Sequence, residues 1–152
     1  INPPNNTVDI RREHIVEDAF NVFAHHPNFA YFHMPNIRMI NELGLPEYGV
    51  DGGGIMREFL NLLLQQLFSS SLFSYTSEFS LSPNQNMSVG AHEKYIFVGK
   101  MLGKLLIEEL FCDVTMSLNF VDLLMTDPNS AQIQWMHRNS NNMYDIVVGF
   151  HH

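Results

Sequence analysis

Apolar positions recur along this chain in two periods, and they mark most of its elements. In residues 9–23, Ile15, Ala19, Val22 and Phe23 fall three to four apart, while Arg12, Glu13 and Glu17 lie off that face. The spacing predicts a helix, with Asp9 as its N-cap and Pro27 as its stop. Asn36-Ile-Arg-Met-Ile-Asn alternates and predicts a short strand. Residues 55–68 give the clearest helix, with Phe59, Leu62, Leu63 and Leu67 on one broad face and Ile55 a turn earlier. Leu72-Phe-Ser-Tyr-Thr and Phe79-Ser-Leu-Ser-Pro alternate close together, as the arms of a hairpin do. A second long helix covers 92–109 through Tyr95, Val98, Leu102, Leu105 and Leu106. Gly99 and Gly103 lie four apart on it, and small residues at that spacing let another element pack close. Thr115 caps a short helix over 116–125, which Asp127-Pro128 ends. Ile133-Gln-Trp-Met continues as helix, and Tyr144-Asp-Ile-Val-Val-Gly-Phe reads as a strand. The expected class is a helix-dominant α+β fold, with several helices packed around short strands and a β-hairpin.

Composition narrows the function classes. A hydrophobic share of 45% over 152 residues supplies a core and excludes disorder as the whole description. Sixteen acidic against eight basic residues give a net charge of −8, which argues against nucleic acid or an anionic membrane surface as partner. The longest apolar stretch, 59–68, is interrupted by Asn61, Gln65 and Gln66, so membrane insertion is not expected. Ile1-Asn-Pro-Pro-Asn-Asn has neither the basic nor the apolar region of a signal peptide. The expected organisation is a flexible leader over 1–8, one domain over 9–150 and a tag remnant at 151–152, in a segment cut from a longer protein.

Candidate chemistry is sparse. Cys112 is the single thiol; its acidic neighbours Glu108, Glu109 and Asp113 would raise a thiol pKa, and Leu110 and Phe111 suggest burial, so a structural cysteine is expected. Asp51, Gly52, Gly53 and Gly54 precede a helix, but no Lys-Ser/Thr follows, and Asp51 carries the wrong charge for a phosphate cradle. The glycines are read as a tight, close-packed approach to the helix. Next to them, Arg57 and Glu58 are expected to organise structure, Glu58 at the favourable end of the helix dipole. His25, His26 and His33 lack the spacing and carboxylates of a metal site. No catalytic residue, metal site or cofactor is expected.

Several blocks, in order, resemble the HECT-type E3 ubiquitin-protein ligases. Ile10-Arg-Arg-Glu-His-Ile-Val-Glu-Asp-Ala-Phe is similar to the opening of that domain. The run from Asn41 through Asp51-Gly-Gly-Gly-Ile-Met-Arg-Glu-Phe-Leu resembles its most diagnostic motif. Ser82-Pro-Asn-Gln-Asn is similar to its Pro-Asn-Pro turn, with Gln85 in place of the second proline. Tyr95-Ile-Phe-Val-Gly-Lys-Met-Leu-Gly-Lys matches its aromatic helix carrying Gly-Lys/Arg-x-Leu-Gly. Cys112-Asp-Val-Thr lies where Asp-Val/Leu-Pro-Phe is usual, and Asp145-Ile-Val-Val-Gly-Phe resembles a terminal strand. The wording of the first two blocks resembles the branch that carries an IQ motif upstream.

This resemblance implies the large subdomain of a HECT N-terminal lobe. Such ligases accept ubiquitin as a thioester from a ubiquitin-conjugating enzyme and pass it to lysines of protein substrates. The acceptor cysteine belongs to a later C-terminal lobe, so Cys112 is not it, and the fragment alone is expected to be inactive. Asp51, Gly52, Gly53, Gly54, Arg57, Glu58, Gly99 and Gly103 then become scaffold positions. Some branches hold a second ubiquitin noncovalently near the hairpin, which makes Tyr75, Phe79 and Tyr95 candidate contacts. An intracellular setting, cytoplasm or nucleus, is implied. The competing expectation is a degenerate HECT-like interaction module without transferase activity.

Overall fold

A computed structural model describes residues 7–24, 36–47, 54–75, 81–85, 88–108 and 116–151. The first element is a strand, β1 (Thr7–Arg11), and not the start of a helix. It pairs in parallel with β2 (Asn36–Ile40), in a register that sets Val8 beside Ile37 and Ile10 beside Met39. Ile10, Ile37 and Met39 face the core. Asp9 stands opposite Arg38 and accepts two hydrogen bonds from its guanidinium, at 2.7 and 3.0 Å, so it is a cross-strand partner and not a helix cap. After a 3₁₀ turn (Arg12–His14) the chain runs into α1 (Ile15–Ala19) and a π-helical turn (Phe20–Ala24). Asp18 draws the junction tight by accepting from the Arg11 backbone N–H at 2.8 Å and from its guanidinium at 2.9 and 2.8 Å.

The expected second helix is α2 (Gly54–Phe68), which buries Phe59, Leu60, Leu63, Leu64, Leu67 and Phe68. The hairpin also forms: β3 (Phe73–Tyr75) pairs antiparallel with β4 (Leu81–Pro83). Next comes α3 (Ala91–Ile107), started by Gly90 at φ +84°, a left-handed conformation that suits glycine. Ser117, and not the expected Thr115, caps α4 (Leu118–Leu124) by accepting from the Phe120 N–H at 3.1 Å. Ser130 caps α5 (Ala131–Arg138) in the same way through Ile133. Thr115 itself lies outside the described residues.

The last element corrects the sequence expectation. Residues read as a strand form a helix, α6 (Met143–Phe150). Met143, Ile146, Val147 and Gly149 are buried in it, and Phe150 packs against the core from its edge. A segment apolar on nearly every side carries no period, so its β-branched residues imitate a central strand. Helix α3 is its chief neighbour. His92 meets Asp145 near both helix starts and Gly99 meets Gly149 further along, so the two run side by side in the same sense. An alanine Cβ at Gly99 would overlap the Ile146 carbonyl oxygen, and one at Gly149 would overlap that of Ile96. Absence of a side chain at both positions is what allows this approach. One apolar cluster links both small sheets to these helices.

At the chain's two ends, Thr7 and Val8 of the expected leader belong to β1. His151, expected as tag remnant, follows α6 directly and sets its ring Nε2 2.6 Å from the Leu124 carbonyl oxygen.

Candidate functional site

The diagnostic sequence blocks converge on two polar assemblies. In the first, the Arg12 guanidinium donates to both carboxylate oxygens of Glu47, at 2.8 and 2.7 Å, and lies 3.1 Å from Glu58 Oε2. Three chain segments are joined there: the turn after β1, the loop after β2 and the first turns of α2. Planar guanidinium geometry fits this bidentate role, which a lysine could not fill. Arg12 holds the Glu47 carboxyl below its ordinary pKa, and the two glutamates raise that of Arg12 in return. Glu58 therefore has a structural partner, whereas its neighbour Arg57 points to solvent.

The second assembly ties the hairpin to α3 and α6. Tyr95 has no exposed surface, and its hydroxyl shares its proton between the carbonyls of Leu72, at 2.7 Å, and Asn84, at 2.8 Å. Burial, with the nearby negative charge of Asp145 adding, pushes this phenol up to about 12. Asn84 donates its amide to the Ser71 carbonyl at 2.7 Å and accepts from the Ser74 hydroxyl at 2.6 Å. Gln85 accepts from the Asn142 backbone N–H at 3.0 Å, so its side chain satisfies a free donor at the start of α6. Asp145 is buried, 2.7 Å from His92 Nδ1 and 3.4 Å from the Asn142 amide.

The sequence-predicted positions fall as follows. Gly54 opens α2, and Gly99 and Gly103 are buried in α3. Tyr75 is 51% exposed on β3, while Tyr95 is a core residue with no ring surface to offer a partner. Asp51, Gly52, Gly53, Phe79, Cys112 and the histidines at 25, 26 and 33 lie outside the described residues. Sequence reasoning missed Arg12, Glu47, His92 and Asp145. Their partners are 35 and 53 positions away, and no local period records such a pairing.

Chemically, these assemblies fasten elements together. Among the described residues no group of three His, Cys, Asp or Glu is placed to hold a metal, and no helix is long and apolar enough to cross a membrane. Several half-open cavities are present, one of them, with a mainly apolar lining, near the π-helical turn.

No family model matches the chain. It is 30% identical to the E3 ubiquitin-protein ligase etc-1 of Caenorhabditis elegans, over 95% of this chain and 15% of that protein. It is 31% identical to the E3 ubiquitin-protein ligase UPL6 of Arabidopsis thaliana, over 78% of this chain and 12% of that protein. The human ubiquitin-protein ligase E3B is 30% identical over 82% of this chain and 12% of its own length. The chain thus spans only 12–15% of the length of these relatives.

Proposed function

The chain belongs to the HECT-type E3 ubiquitin-protein ligases, and from that premise we propose that it forms the large subdomain of a HECT N-terminal lobe, a rigid platform within a ubiquitin transferase. The parent protein accepts ubiquitin through a thioester with a cysteine of a separate lobe, taking it from a ubiquitin-conjugating enzyme. A substrate lysine then attacks the thioester carbonyl and expels the cysteine thiolate, leaving an isopeptide bond. The platform's contribution is positional, since transfer between bound partners is fast only when the reacting groups are held in register. Its surroundings are the cytoplasm or nucleus, where the conjugating enzyme and substrates are met.

One observation carries this reading: several of the described residues that make the chain resemble these ligases lock its elements together. Glu58 of the Arg-Glu-Phe block meets Arg12, and Asn84 of the Pro-Asn turn meets Tyr95 of the aromatic helix. Hallmark residues engaged in internal fastening suit a scaffold. Tyr75, exposed on β3, is the described candidate contact with surface available to a noncovalently held ubiquitin.

The test uses the full-length parent, a charged conjugating enzyme and a non-reducing gel. A reducible ubiquitin adduct on the parent is expected. Its absence from a folded parent would replace the transferase with an interaction module built on the same scaffold.

A further inference from the structure

We draw no further inference here: the strongest candidate, the solvent-facing apolar stripe that Leu118, Val121 and Met125 form along α4 and its C-cap, is an unpartnered helix face, and nothing in the structure shows what covers it.

Discussion

Gly149→Ala sets two helical effects against each other. In an ordinary helix interior this change stabilises by about 1 kcal/mol, because alanine loses less backbone freedom. At this position the new Cβ would overlap the Ile96 carbonyl oxygen and lie 2.9 Å from its carbon and 3.1 Å from Ile96 Cα. All three neighbours are backbone, so no side chain can swing aside. Relief requires α3 and α6 to part by roughly 1 Å, which thins contacts along the whole seam. Buried Val98, Met101, Leu102, Ile146 and Val147 lie on these two helices. Overpacking of this kind typically costs about 1–3 kcal/mol, and the seam is long enough to place the net loss there after the propensity gain. For a chain of this size that is a fall in melting temperature of about 3–10 °C. Thermal and urea unfolding followed by far-UV circular dichroism measure it. Gly99→Ala should behave alike, since its Cβ would meet the Ile146 oxygen and lie 2.7 Å from the Phe150 nitrogen. The double variant should lose less than the two singles added, because the first separation also relieves the second clash. A Gly149→Ala protein as stable as the parent, or more so, would refute the close crossing.

Three further outcomes follow from the polar contacts. Arg12→Met removes the shared partner of Glu47 and Glu58 and should cost about 1–2 kcal/mol by urea unfolding, a figure reduced from the buried-pair range because the group is partly exposed. Asp9, Asp18 and Glu47 are held below their ordinary values of 3.8, 3.8 and 4.5 by hydrogen bonds from Arg38, Arg11 and Arg12. The folded form therefore binds fewer protons, so this stability is present above about pH 4.5 and is lost on acidification below it, a fall that Arg12→Met should flatten. Tyr95→Phe leaves two carbonyls without their donor and should cost about 1–2 kcal/mol at neutral pH. Tyr95 resists ionisation up to about 12 while an unfolded tyrosine ionises near 10, so the parent should lose stability as pH rises through that interval. The phenylalanine variant should lose less there.

Much of the fold was legible because its elements carry a period. The broad apolar face after Gly54 forms α2, and the alternation of Asn36–Ile40 forms β2. Two elements were misread for opposite reasons. Thr7–Arg11 is short, and its parallel partner lies 29 positions away, so the helical spacing that follows drew Asp9 into a capping role it does not have. Met143–Phe150 is apolar on nearly all sides, and nothing local separates a buried helix from a central strand. Gly99 was legible as a packing position, but its counterpart at Gly149 was hidden by that misreading. Gln85 stands where the related turn has a proline, and its amide group instead reaches the start of α6. The site was legible only as motifs; the contacts that explain them span the chain and have no local trace.

The proposed platform leaves the acceptor thiol to another lobe of the parent. Cys112→Ser in the full-length protein tests this directly, with ubiquitin thioester measured on a non-reducing gel beside a thermal-unfolding control. The reducible adduct should form to the same extent as on the unaltered protein. A variant that keeps the parent's melting temperature yet forms no adduct would contradict the account.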